Sequence, residues 1–135
     1  MASIYQEIRS VLEHRLSTTA GIPDIAWENV SFEPTTGTAF VKPMFQPTSR
    51  RPAVRGLNPQ HRIQGIFTIL CYYPENAGPG ASQSLVDSLV DRFASTSDIS
   101  LSGTTVSLEY TEQNPSYLDS PWYITPITVA WYIYS

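Results

Sequence analysis

The run from His61 to Tyr73 constrains this chain more than any other. Ile63, Gly65, Phe67, Ile69, Cys71 and Tyr73 alternate with Arg62, Gln64, Ile66, Thr68, Leu70 and Tyr72. A period of two fits a β-strand and no other regular structure. Both faces turn apolar toward its end, which predicts a central strand with both faces covered there. A long, buried strand needs partners and a layer packed against it. The remaining sequence must supply both.

Two segments read as amphipathic helices. From Ser3 to about Thr18, Ile4, Ile8, Val11, Leu12 and Leu16 fall on one face of a 3.6-residue period. Ser3 and Gln6 have capping-box spacing, while Gly21 and Pro23 stop the helix. From Ala81 to Ala94, Leu85, Val86, Leu89, Val90 and Phe93 share a face, with Ser82 expected as the cap. Between them, Asp24–Phe32 and Thr38–Gln46 read as a hairpin around the Pro34–Gly37 turn. Pro43 marks the second of these as an edge strand or a bulged one. Ile99–Leu101 and Thr104–Thr111 flank Ser102-Gly103, a hairpin turn. Glu112–Ser120 reads as a polar loop, and Pro121–Tyr134 as a last long strand, with Pro126 again suggesting an edge or bulge. The expected architecture is α+β, two helices packed on a largely antiparallel β-sheet, with element order α-β-β-β-α-β-β-β.

Pro47–Gln60 is expected to be a long basic loop, because it holds three prolines, three arginines and no sustained period. Loops this long in compact domains are usually functional or disordered until bound. Charge is segregated around it. The chain has eight basic and twelve acidic residues, net −4. No acid occurs between Pro34 and Pro74, a stretch that carries Lys42, Arg50, Arg51, Arg55 and Arg62. That segment is +5 and the rest of the chain is −9. Surfaces of opposite sign attract copies of a chain or a partner of complementary charge.

Length and composition remove several classes. A chain of 135 residues is expected to form one domain, 1–135, and needs no metal or disulfide staple. Only 15% of residues are charged and 12% are aromatic, the opposite of a disordered signature. Apolar stretches are broken well before the ~18 residues of a membrane span, so no membrane partner is expected. The N-terminus carries Glu7 early and has no apolar core of a secretory leader. One cysteine, Cys71, excludes an internal disulfide and lies in the apolar strand, where it reads as a buried hydrophobe. With two distant histidines, His14 and His61, it makes no metal set. No nucleophile motif accompanies either histidine. Gly78-Pro79-Gly80 lacks the Lys of a phosphate loop, and Pro79 removes an N–H donor. No catalytic, metal or cofactor-binding residue is therefore assigned, and no enzyme or cofactor is expected. An arginine-rich loop with nearby aromatics could serve a small nucleic-acid-binding module, but the acidic whole, with pI ≈ 5.0, argues against it.

The linear order of turn and aromatic residues resembles a known family. A short amphipathic helix is followed by Trp27-Glu28-Asn29, Phe32-Glu33-Pro34, Gly37, Phe40 and Phe45-Gln46-Pro47. After the basic gap come Gln64-Gly65-Ile66-Phe67, Tyr73-Pro74, Gly78 and Gly80, then a helix ending in Phe93. This pattern resembles the tail-terminator, or tail-completion, proteins of long-tailed bacteriophages, including a phage-related domain-of-unknown-function family and the lambda-type terminator fold. The resemblance covers about residues 3–93 by motif and the rest by element order. It implies a virion structural protein that forms a homo-oligomeric, hexameric ring on the tail tube, stops tube polymerisation and presents a head-joining surface. It implies a tail tube protein and a head-tail connector protein as partners, with nucleic acid met only in the ring lumen. It places the protein at the head-proximal end of the phage tail, assembled in the bacterial host cytoplasm. A tail-tube subunit or a head-tail adaptor remains the alternative within the same folds. Under this reading Arg50, Arg51, Arg55 and Arg62 are the candidate contacts to a neighbouring subunit or the tube.

Overall fold

The structure is a computed structural model that describes residues 3–35, 37–53, 60–94 and 98–135. Its elements are α1 (Ile4–Ser17), β1 (Asp24–Ile25), β2 (Phe40–Pro52), β3 (His61–Pro74), α2 (Pro79–Arg92), β4 (Asp98–Leu101), β5 (Thr104–Gln113), β6 (Tyr117–Asp119) and β7 (Trp122–Tyr134). All strands belong to one sheet, in the order β1-β2-β3-β7-β5-β4, and β6 also pairs with β7. The α+β class is as expected. The sheet, however, is mixed rather than largely antiparallel, because β1 runs parallel to β2. An extra short strand, β6, also lies within the segment read as a polar loop.

The expected hairpin of Asp24–Phe32 with Thr38–Gln46 does not form. β1 stops after two residues. Asn29 takes a left-handed conformation (φ 55°) and Val30 N donates to Trp27 O at 3.3 Å, so the chain turns where a strand would continue. It then re-enters the sheet at Phe40 in the direction of β1. The other hairpin is as read. Ser102 and Gly103 both have positive φ, 52° and 87°, the geometry of a type I′ connection.

β3 lies centrally between β2 and β7. Ile63, Phe67, Ile69 and Cys71 on its inner face are fully buried. Their β7 partners Ile133, Val129, Ile127 and Thr125 continue the ladder, and Ile127, Val129 and Trp131 complete the core. Both helices belong to this side. Ile8, Val11, Leu12 and Leu16 of α1, and Leu85, Val86 and Leu89 of α2, join one cluster with the strands. Burying such a side chain contributes about 1.5–3 kcal/mol, so the helical faces are held by the sheet and not by propensity. Among the described residues no helix lies on the opposite face. At the Tyr72 end it is covered by aromatics instead: Phe40 stacks on Tyr72 at 4.3 Å, meets Trp122 edge-on at 5.1 Å and lies 5.0 Å from Phe32.

The Ser3–Gln6 capping box forms in both directions. α2 starts earlier than expected. Gly78 is the cap and Pro79 opens the helix, whereas Ser82 is buried inside it. Proline's fixed φ suits the first helical position, and its missing N–H costs nothing there.

Pro43 and Pro126 sit where a missing donor does least harm. Phe45 N points away from β3 toward the Glu28 carboxylate, so Pro43, two residues earlier, also faces outward. It lies on an edge, as expected. Pro126 lies in a central strand, which corrects the edge expectation. Its carbonyl accepts from Asn114 N at 2.9 Å, so its N faces the place where β5 ends and the chain turns toward β6.

Candidate assembly surface

The segment 47–60 is not one loop. β2 continues through a bulge between Pro47 and Ser49 and stays paired with β3 out to Pro52–His61. Ala53 N then donates to Gln60 O at 2.7 Å. The bulge shifts the side-chain alternation by one residue, and this hides the strand from a period-two reading. The result is an edge arm of β2 laid along β3, which itself stays paired with β7 as far as Arg62–Tyr134. Arg50 pairs in register with Ile63 and Arg51 with Arg62. As successive strand residues they face opposite sides. Both are exposed and make no ion pair among the described residues. Arg55 lies outside the described residues.

Arg62 behaves differently. Its guanidinium sits 4.3 Å from the Tyr132 ring centre and 5.8 Å from that of Tyr134. Its Nε donates to Gln64 Oε1 at 3.0 Å and one terminal nitrogen to Tyr134 Oη at 3.1 Å. Glu109 Oε1 is 3.7 Å away. Arg62 is thus engaged inside the sheet's outer face, and this offsets its placement opposite Arg51, a like charge that would otherwise repel it. Thr48, Ser49, Arg51, Arg62 and Gln64 line a polar depression of about 430 Å³ beside the arm.

Acids cluster on the far side of the sheet and on α2, while Asp24 of β1 and Glu28 lie beside β2. Asp87 and Asp91 lie on the exposed side of α2. Asp98 is exposed on β4, Glu109 and Glu112 on β5, and Asp119 on β6. Glu109 is the extra residue of a second bulge, between Leu108 and Tyr110. At the far end of β7, Pro74, Ala77, Pro79, Leu118 and Tyr123 help line an apolar hollow of about 310 Å³. Leu118 there is 64% exposed.

Glu28 is a further member of this surface that the strand reading concealed. Its Oε1 accepts from Phe45 N at 2.6 Å and from Arg9 at 2.9 Å. Arg9 also lies 4.8 Å from the Phe45 ring centre and 3.6 Å from Glu13. One carboxylate thus plugs the β2 edge and ties it to α1. Glu13, packed nearby, has its carboxyl pushed above the usual range by burial, with the Arg9 charge working against that shift.

The one cysteine is a core residue. Burial pushes the Cys71 thiol up to about 12, so it holds no nucleophilic thiolate near neutral pH. Among the described residues no three His, Cys, Asp or Glu side chains group as a metal site. No helix among them is long and apolar enough to cross a membrane.

The fold has solved counterparts. Nine chains of known structure match it. One superposes with a TM-score of 0.75 at 17% identity, covering 97% of this chain and 96% of the other, a likeness of fold alone. No curated protein matches the sequence. A family model described as phage tail terminator protein matches residues 7–131. That span takes in all but the first turn of α1, the whole of α2, the whole sheet but its last residues, and the basic arm, and the chain belongs to the phage tail terminator family.

Proposed function

We propose that this protein is a non-enzymatic virion component that forms a six-membered ring on the head-proximal end of the phage tail. The ring stops polymerisation of the tail tube and offers its free side to the head-tail connector, and DNA meets it only in passing through the lumen. Assembly takes place in the bacterial host cytoplasm. The observation that carries this reading is the family match across residues 7–131. The surface chemistry supports it. A ring needs two unlike, complementary faces on each subunit. The basic arm with Arg50 and Arg51, and the acidic far side of the sheet with Asp98 and Glu112, provide them. Interface cores are also poor in charge and rich in Tyr, Trp and Phe, which suits a chain with 15% charged residues and exposed Tyr110, Tyr117 and Tyr134.

The test is a phage in which this gene is disrupted. Its tails should reach irregular, excessive lengths and fail to join heads, and the purified protein should show discrete six-fold rings by negative-stain microscopy. Long filaments from the pure protein would assign it to the tube instead. Normal tail length with unjoined heads would assign it to the adaptor. Replacing Arg50, Arg51 and Arg55 together by Glu should abolish capping while leaving circular dichroism unchanged, and normal capping would remove the arm from the mechanism.

A further inference from the structure

In the folded sheet the charge split acquires a direction. β2 and β3 carry Lys42, Arg50, Arg51 and Arg62 and no acid, whereas β4, β5 and β6 carry Asp98, Glu109, Glu112 and Asp119 and no Lys or Arg. β7, which separates them, has no charged residue. The strand order sets the two groups at opposite sides of the sheet, with Asp24 of the short β1 an acid at the Phe40 end of the basic side, away from the arginines. Four strand spacings lie between β2 and β4, about 19 Å at ~4.8 Å each. This is more than twice the ~8 Å Debye length at physiological salt. The outer charges therefore do not neutralise one another within a subunit. Only the inner pair, Arg62 and Glu109, meets.

The register also sets their height. Ser49 lies opposite Gln64, Gln64 opposite Tyr132, Tyr132 opposite Ser107, and Ser107 opposite Asp98. Arg50 follows Ser49 directly. Arg50 on one edge and Asp98 on the other thus stand within one residue of the same level. Rotation of one copy beside another, about an axis along the strands, would bring Asp98 of one against Arg50 and Arg51 of the next.

The β2 edge dictates how that contact is made. Val41 O accepts from Ala26 N and Phe45 N donates to Glu28, so alternate residues from 41 to 47 present their backbone groups away from β3. Ala53 N turns inward to Gln60 O, so residue 52 also faces outward. Pro43, Pro47 and Pro52 therefore remove three outward N–H groups, and Glu28 occupies that of Phe45. A strand added here would find few donors.

We propose that the basic β2 edge receives the acidic β4–β5 edge of a second copy of this chain, through side-chain ion pairs and not through a continued β-ladder. This rests on the ring reading above and names its lateral contact. Because the two edges differ, each copy has one edge to give and one to receive, as a closed ring requires.

The experiment uses two charge variants of the full chain. Arg50→Glu with Arg51→Glu makes both edges acidic. Asp98→Lys with Ser100→Lys, both exposed on β4 near the level of the arginines, makes both basic there. Assembly is read by analytical ultracentrifugation and negative-stain microscopy, on the free protein and on purified tail tubes, with circular dichroism as the control for folding. Each variant alone should assemble at least tenfold more weakly than the wild type. An equimolar mixture should recover rings, because alternating copies then meet with opposite charge. The chain carrying all four substitutions should assemble by itself. Wild-type assembly by either folded variant alone, or no recovery in the mixture, overturns the edge pairing and leaves the ring reading standing. Absence of rings from the wild type, both free and on tubes, overturns the ring reading and the edge pairing with it.

Discussion

Gly65 is fixed by its neighbours and not by its backbone. It lies on the inner face of β3, between Phe45 on β2 and Trp131 on β7, whose rings stack at 5.3 Å and 8°. The indole crosses directly above it. A Cβ at this position would fall 2.6 Å from Trp131 Cζ2 and 2.8 Å from Pro47 Cα. Pro47 Cα is backbone and cannot swing aside. Overpacking of this kind costs about 1–3 kcal/mol, so Gly65→Ala should lose at least about 2 kcal/mol in urea unfolding and alter the near-ultraviolet signal of Trp131. A loss below about 0.5 kcal/mol would show that the stack yields freely. The sequence placed Gly65 on the apolar face but could not show why it is glycine, since Trp131 arrives from a distant strand. Arg62 is a similar case. In the sequence it belongs with Arg50 and Arg51, whereas Tyr132 and Tyr134 hold it in the structure.

Elements whose signals are local were legible. The helices follow from their 3.6-residue pattern and the central strands from alternation, because each pattern needs only its own residues. Elements decided by a partner were not. β1 is cut to two residues by the turn at Asn29, and β2 runs past three prolines because its outward N–H groups are not needed by β3. The helix ends show the same dependence. Arg15 donates to Arg92 O at 3.0 Å, and Arg92 donates back to Arg15 O at 3.4 Å and to Thr18 Oγ1 at 2.9 Å. Each guanidinium caps carbonyls at the other helix's C-terminus, where the dipole favours a cation. Glu28 does comparable work for the β2 edge. Glu28→Ala would strand the Phe45 N–H and free Arg9. A partly buried donor left unpaired costs about 1–3 kcal/mol, so a loss of about 1–2 kcal/mol is expected by thermal or urea unfolding. Repeating the substitution in an Arg9→Met background should cost less, and equal costs in both backgrounds would deny the coupling of α1 to the β2 edge.

At the scale of the whole molecule, the sequence already showed which charges segregate, but only the strand order showed that they lie on opposite edges. The prolines complete that picture. A subunit of the proposed capping ring must offer faces to its neighbours without offering a strand edge that recruits further chains. Unblocked edges of this length are templates for uncontrolled pairing. Pro43→Val with Pro47→Thr returns two outward N–H groups to β2 while keeping side chains of similar volume. In low salt the variant should still form the ion-paired contact. In about 1 M salt, where the Debye length falls to ~3 Å, wild-type association through charges should weaken. The variant should instead keep salt-resistant association through backbone hydrogen bonds, and grow beyond discrete rings in sedimentation and electron microscopy. Circular dichroism and the unfolding midpoint would confirm that it remains folded. A folded variant with the same species as the wild type at every salt concentration would show that the prolines do not limit assembly, and that Glu28 and the arginines guard the edge without them.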